Sequence, residues 1–543
     1  MAQDPAPFAM PDGRGDGSPG ADPIRSVLSR RGMLIGGLGA LSLPLLGACS
    51  SSSDGSGGNT APTSGGSSSA AVSPTGGQLR MARPATRTGE GLDPVSDLYT
   101  YEFLGALYNR LVKVAKDGTL APDLATEWEP SADLLTWTFK LRDGVTWHDG
   151  KPFTSKDAKY TFQHMFDIKA SQSAVLSPIM TPADIQTPDD LTLVFKLTSA
   201  HAEFPTLLTN YSSYLIPDGS GDTIAQTGIG TGPFQLVSFV SGGRGEVKAN
   251  PNYFGGPPKL DSIEFTAIAD AQARINALMS GQVDIISQTN LDYATQQVVK
   301  ANPLLTTATV DNAVMYAMPM LPSMAPFDNL EVRQAFKTAY QPQDLLDLAV
   351  HGQGTIANNN PVLSTDPYYL DYPLTPDPEK AAATLKAAGV TEQDLYTSSF
   401  EAVYEPLALA YQASLAEAGI TINVKTAPAD SYYTETYAKK SFCLSYWYTG
   451  RPIDQLLNLV FRGPTSEAQW DDQQFSDLLD SARKEPDQAK RKQLYQDAQK
   501  LAIDESGEIV PFFGHRTTGL TTKVTNYTEY GFEFDYLNIG IQP

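Results

Sequence analysis

Twice along this chain a helical pattern stops at a glycine and an apolar strand begins at once. Ala271 to Ser280 ends at Gly281 before Val283 to Ile286, and Leu407 to Ala418 ends at Gly419 before the alternating Ile420, Ile422 and Val424. A third helix is punctuated at both ends, with Asp377 as N-cap, Pro378 at the first helical position, Glu379 in the first turn and Gly389 just past the end. Helices and strands following one another in this way favour an α/β architecture over an all-β one, and no internal repeat is visible.

Strand signals are clearest between Leu134 and Gly150. Trp137, Phe139 and Leu141 share one face, Asp143-Gly144 is expected to turn the chain, Val145 and Trp147 to continue it, and Asp149-Gly150 to turn it again. A second alternating strand places Leu191, Leu193, Phe195 and Leu197 on one side, after a turn at Pro188-Asp189-Asp190.

The N-terminal region reads as an address. Arg30 and Arg31 precede a soft apolar run from Met33 to Leu46 that is diluted by Gly36, Gly37, Gly39 and Pro44. A bilayer span needs roughly 20 apolar residues, so this run is too short to cross. A positive region, a short apolar region and small residues form a secretory signal over residues 1–48, and the arginine pair favours the twin-arginine variety. Leu46-Gly47-Ala48-Cys49 resembles a bacterial lipobox, which implies that Cys49 is lipidated. Residues 49–77 then hold ten serines and seven glycines between Ser50 and Gly77. Such a tract cannot bury a core, and it reads as a tether with a reach of about 30 Å.

The net charge of −22 repels nucleic acid and anionic membrane surfaces, so membrane attachment is expected through Cys49 rather than a basic patch. Beyond the tether some 465 residues remain, enough for two or three domains. With two cysteines, one of them lipidated, Cys443 has no partner; a disulfide framework and a cysteine metal site are excluded, and Cys443 is expected to be a buried inert thiol.

Catalytic patterns are missing. His148, His164, His201, His351 and His515 never approach the spacing of a zinc helix, and neither a nucleophile elbow nor a phosphate loop is present. Gly228, Gly230 and Gly232 are followed by Pro233 and Phe234 where a phosphate site would need a helix, so they read as a tight structural turn. The acidic pairs Asp471-Asp472 and Asp504-Glu505 read as solvated surface. No cofactor and no metal site are expected.

An ordered series of motifs then resembles one known family. Leu124-Ala125-Thr126-Glu127-Trp128-Glu129-Pro130-Ser131 is followed by Thr136 to Pro152, reading TWTFKLRDGVTWHDGKP, and by a helix over Thr154 to Phe162. Further on stand Gly230-Thr231-Gly232-Pro233-Phe234, Asn250-Pro251-Asn252-Tyr253-Phe254, Gly281-Gln282-Val283-Asp284 and Phe327 to Phe336, reading FDNLEVRQAF. From about Gln78 to the C-terminus this resembles the extracytoplasmic solute-binding proteins of ABC importers in the peptide, opine and nickel class.

The resemblance implies an α/β, two-lobed periplasmic-binding-protein-like fold of type II with an extra subdomain. Lobe I would comprise 78–112, 228–311 and 511–543, the extra subdomain 113–227, and lobe II 312–510, with a hinge near Thr309–Ala313 and Ile509–Phe513. It implies a monomer that captures a small-molecule or short-peptide solute and delivers it to permease subunits at the outer face of the cytoplasmic membrane or in the periplasmic space. The alternatives are a nickel-chelate receptor of the same family and an exported hydrolase.

For the site, the informative stretch is Ser445 to Asp454, reading SYWYTGRPID. In peptide-binding relatives a comparable stretch carries an aspartate that pairs with the peptide's amino group, and Arg451 occupies that place here. A guanidinium repels an ammonium but grips a carboxylate through two parallel hydrogen bonds, which points to an anionic or zwitterionic solute. Asp454 could still receive an amino group, or could simply pair with Arg451. Tyr446 and Tyr448 should face one way and Trp447 the other, because side chains at i and i+2 share a strand face. Tyr99, Tyr101 and Tyr316 are further cleft candidates, with Met315 and Asn358 to Asn360 behind them.

Overall fold

The structure is a computed structural model that describes residues 76–84, 90–96, 100–116, 118–399, 401–429, 431–530 and 533–543. The expectations for Arg30, Arg31, Cys49 and the tether, and for Tyr99, lie outside the described residues.

Two long strands, Leu305–Pro319 and Glu508–Thr521, pair antiparallel over almost their whole length. They form the middle of a nine-stranded sheet. At one end Ile285–Ile286 joins at Leu520, followed outward by Gln78–Arg83, Ser262–Ala267, Arg244–Ala249 and Phe234–Phe239. At the other end Ser445–Tyr448 pairs with Leu305–Pro319, and Gly354–Ile356 with Glu508–Thr521. Gln78–Arg83 runs parallel to both of its neighbours, whereas the remaining pairs are antiparallel.

Separate apolar cores surround the two ends. Leu79, Phe103, Phe234, Ile263 and Phe265 belong to one. At the other end, alternation along the strand divides Tyr316, Met318 and Met320 from Met315 and Ala317, which enter cores on opposite faces. A further core lies around a four-stranded sheet of Ala125–Pro130, Thr136–Leu141, Thr192–Lys196 and Ile185–Asp189, covered by the helix Ser155–Asp167. Cys443 is buried, and burial pushes its thiol up to about 12, which makes it unreactive.

The punctuation read from the sequence is present in the helices. The Asp377 carboxylate accepts the Lys380 N–H at 3.0 Å, and the helix Pro378–Ala387 ends before Gly389 at φ +76°. Helix Tyr404–Glu417 ends before Gly419 at φ +72° and links the parallel strands Glu392–Ser398 and Thr421–Ala427 in a βαβ unit. The expected hairpin differs in one respect. Its turn is Ser131 to Leu135, and beyond Gly144 Val145 and Trp147 form no strand, because the chain folds into a tight loop closed by a Thr146–Pro152 bridge.

That loop is anchored by His148. The Gly230 N–H donates to Nδ1 at 3.1 Å and Nε2 lies 3.1 Å from the Gly232 carbonyl, an arrangement that fits a neutral ring carrying its proton on Nε2. Gly230 and Gly232 in turn lie against the end of the helix Tyr101–Leu107, where a Cβ on Gly230 would sit 1.8 Å from the Leu107 carbonyl oxygen. The glycine alternation is thus a close backbone crossing, and a strand rather than a helix follows it.

Burial lowers the His148 pKa from the usual 6.5 to about 4. The neutral ring therefore contributes stability above pH 6.5 that is lost as pH falls towards 4, up to about 3 kcal/mol. Urea unfolding at pH 7 and pH 4.5 should show a smaller loss for His148→Gln than for the native chain.

Candidate functional site

The ladder between the two long strands is interrupted twice, between Val310 and Val314 near its middle and again between Tyr316 and Met318. Val310 pairs with Arg516 and Val314 with Gly514, so three residues bulge opposite His515. Asn312 adopts φ +52°, a left-handed conformation that asparagine tolerates better than most residues. The bulge is held from all sides. The Asn312 N–H donates to His515 Nδ1 at 3.1 Å, Thr449 Oγ1 donates to the Asn312 carbonyl at 2.8 Å, and Thr355 Oγ1 donates to Asn312 Oδ1 at 2.8 Å.

Immediately beside the bulge lies Ser445–Tyr448, with Tyr446 opposite Tyr316 in register. Tyr446 and Tyr448 share a face, their rings 5.6 Å apart, and Tyr404 packs edge-on to Tyr446 at 6.1 Å. Tyr316 Oη donates to Glu401 at 3.1 Å, and burial raises the pKa of that carboxyl. From the far side of the bulge the Arg516 guanidinium stands 5.5 Å from the Tyr448 ring and donates to Glu529 at 2.5 Å. Burial pushes the Tyr448 phenol up to about 12 although Arg516 opposes it, so the group is a neutral donor and acceptor at pH 7. The result is an aromatic wall with hydrogen-bonding tips, flanked by carboxylates and a guanidinium.

Trp447 faces the opposite way, into the core that holds Met315, Ile453 and Phe513. Its indole N–H donates to Glu467 at 2.5 Å. Burial raises the Glu467 carboxyl to about 7, while hydrogen bonds from Ser445, Trp447 and Tyr437 pull it down. Arg451 lies over the Trp447 ring, its guanidinium carbon 5.3 Å from the centroid. Asp454, in the first turn of the helix Ile453–Phe461, accepts from Arg483 Nε at 2.8 and 3.0 Å. Its carboxylate therefore serves a contact between helices.

The sequence-predicted residues consequently fall into three groups. Tyr316, Tyr446 and Tyr448 come together; Trp447 and Arg451 form a second pair on the other face; Asp454 joins a third cluster with Arg483. Tyr101 begins the helix Tyr101–Leu107 and is half-buried. Asn359 and Asn360 are structural: Asn359 Oδ1 accepts from Tyr340 and from the Val510 N–H, and Asn360 donates to Gln499. Glu401, Arg516, Glu529 and Tyr404 were missed because each arrives from a distant segment; a charged Arg516 inside a buried strand was the available signal. Among the described residues no three His, Cys, Asp or Glu side chains are grouped to hold a metal, and no helix is long and apolar enough to cross a membrane.

Comparison with known proteins agrees over most of the length. The family model described as bacterial extracellular solute-binding proteins, family 5 Middle, matches residues 119–465. The dipeptide-binding protein of Escherichia coli (strain K12) is 28% identical over 448 residues, covering 74% of this chain and 83% of that one. Among solved structures, the periplasmic binding protein AgaA from A. tumefaciens R10 in complex with agropinic acid has a TM-score of 0.70 at 25% identity. That match covers 86% of this chain and 99% of AgaA. DppA from Helicobacter pylori in complex with the peptide STSA has a TM-score of 0.70 at 22% identity, covering 87% and 99%.

Replacing Trp447 with Phe keeps a ring in the core but leaves Glu467 without its indole donor. Trp447→Phe should cost about 1–3 kcal/mol in urea unfolding, the penalty of a buried carboxyl that loses one of its donors.

Proposed function

We propose that this chain, which belongs to family 5 of the bacterial extracellular solute-binding proteins and has their two-lobed α/β fold of type II, is the substrate-binding subunit of an ABC importer, holding a peptide or an opine-like solute between its lobes for a membrane permease. The observation that carries this reading is the wall of Tyr316, Tyr446 and Tyr448 beside the bulged crossing, approached by Arg516 from the other end of the sheet. Residues 78–112, 228–311 and 511–543 form lobe I in this reading, 113–227 its extra subdomain and 312–510 lobe II. The hinge is then the bulge at Asp311–Ala313 and the facing Gly514–Arg516. Rotation about few residues closes the lobes, and exclusion of water strengthens each polar contact to the solute.

The chemistry favours a solute with a carboxylate. The resemblance implies that Arg451 takes the place of an aspartate of peptide-binding relatives, and Asp454, the nearby acidic group, is engaged by Arg483. Agropinic acid, the ligand of AgaA, and the peptide held by DppA agree with that class. The solute is held and released without chemical change. Titration calorimetry against di- and tripeptides, opine-type conjugates and a nickel–histidine chelate, with mass spectrometry of the recovered compound, tests the reading. Intact recovery of a bound peptide or opine supports it, and new products overturn it. For a carboxylate-bearing solute Arg451→Ala should weaken binding by about 2–5 kcal/mol if the pair is buried; an unchanged affinity removes Arg451 from the site.

Export as a monomeric lipoprotein anchored through Cys49 completes the proposal. The tether then keeps the receptor at high local concentration beside its permease. In the native host, Cys49→Ser should abolish the lipid mass increment and move the protein from the membrane fraction to the soluble one.

A further inference from the structure

The two long strands, which join lobe I to lobe II in the reading above, are not the only link to lobe II: the extra subdomain reaches it as well. The loop His201–Glu203 lands on the helices Ile453–Phe461, Gln473–Lys484 and Gln488–Glu505. The Ala202 N–H donates to the Arg483 carbonyl at 2.6 Å. The Glu203 carboxylate accepts from Tyr368 Oη at 2.6 Å and Tyr495 Oη at 3.4 Å, with Arg491 Nε at 3.8 Å. Arg491 also donates to Tyr368 Oη at 3.0 Å, so each member of this group fixes another. His201 Nε2 lies 3.9 Å from Asp454, the carboxylate that Arg483 holds.

The other side of the loop is fastened to its own sheet. The Trp137 indole N–H donates to the His201 carbonyl at 3.1 Å, and the His201 N–H donates to the Leu134 carbonyl at 3.3 Å. Inside the loop the Glu203 N–H donates to His201 Nδ1 at 3.2 Å, an arrangement that fits a ring proton on Nε2, facing Asp454. Fastened in this way, the loop cannot follow the helices if they move away. Parting of the lobes about the bulge must break the contacts of Ala202 and Glu203 rather than stretch the loop.

From this we infer that His201–Glu203 is an interlobe latch: Glu203, gripped by Tyr368, Tyr495 and Arg491, holds the lobes together independently of any solute and thereby sets how long a captured solute stays. The inference rests on the two-lobed reading above but not on which solute is bound. Its position explains why Asp454 is committed to Arg483: the same pair presents the Arg483 carbonyl to Ala202 and holds the helix that begins directly after Arg451 and Pro452.

The test uses the solute-free full chain, so its result is independent of the calorimetric search for a ligand. In Glu203→Ala, hydrogen exchange of the Ala202 amide should accelerate by about tenfold or more, the loss of a charge-assisted hydrogen-bond group. The radius of gyration from X-ray scattering should increase at the same time. Tyr368→Phe, which removes one donor and keeps the ring, should shift both readouts in the same direction by a smaller factor, and serves if Glu203→Ala does not fold. Faster exchange with an unchanged radius would overturn the latch, because the loop would have loosened without parting the lobes. Unchanged exchange in both variants would overturn it as well.

Discussion

Everything in this molecule hangs on one antiparallel ladder, from Leu305 opposite Thr521 to Pro319 opposite Glu508. Its two strands serve both ends of the sheet, so neither end has a sheet of its own without the other. A continuous ladder resists sliding and splaying, because either motion breaks many hydrogen bonds at once. In the hinge reading proposed above, the bulge at Asp311–Ala313 is the place where few dihedral changes would reorient one end against the other. Its hydrogen bonds with His515, Thr449 and Thr355 would restrict those changes. The aromatic wall is attached at that same place, so reorientation of the ends and rearrangement around Tyr448 and Arg516 are coupled by geometry.

The chain is strongly acidic on its surface, yet its interior is rich in ionisable groups of both signs. Arg83 and Glu90 are wholly buried and paired at 2.6 Å. Lys337 Nζ donates to the Ile503 carbonyl at 2.8 Å, and burial lowers its pKa to about 7; burial and the neighbouring Glu467 carry Glu508 the other way. Desolvation disfavours whichever form is charged, so acids rise and bases fall towards neutrality together. Buried pairs of this kind add little net stability compared with well-packed apolar residues, but removing one partner is costly. Lys337 and Glu508 belong to the group around Glu467, which accepts from the Trp447 indole beneath Arg451.

What the sequence makes legible here is local. The Asp377 cap, the left-handed Gly389 and Gly419, and the division of Tyr446 and Tyr448 from Trp447 depend on residues a few positions apart. Periodicity and turn chemistry read such features well. The turns expected at Asp143-Gly144 and Asp149-Gly150 are present, but the strand expected between them is not, and the hairpin partner comes instead through Ser131 to Leu135, which closes through Leu134 at φ +58°, a conformation no propensity favours. The long ladder was not legible at all as a pairing, since Leu305 and Thr521 are far apart in the chain and each strand reads the same alone. For the site, Arg451 and the tyrosines could be nominated from one stretch. The commitment of Asp454 to Arg483, and the arrival of Glu401 and Arg516, depend on tertiary packing that leaves no mark in spacing.

The crossing of Gly230 and Gly232 over the end of the helix Tyr101–Leu107 has an evolutionary side. The Gly232 N–H donates to the Leu107 carbonyl at 2.8 Å, so the chain between them leaves and returns through a single neck. Closing a loop costs entropy that grows only with the logarithm of its length, about 0.6 kcal/mol for each doubling. Once the neck is closed, lengthening the polypeptide beyond it adds little entropic cost, so long as Ala202 and Glu203 still reach Arg483, Tyr368 and Tyr495. A segment of that kind can lengthen or shrink away from those contacts over generations while the sheet behind it stays in register.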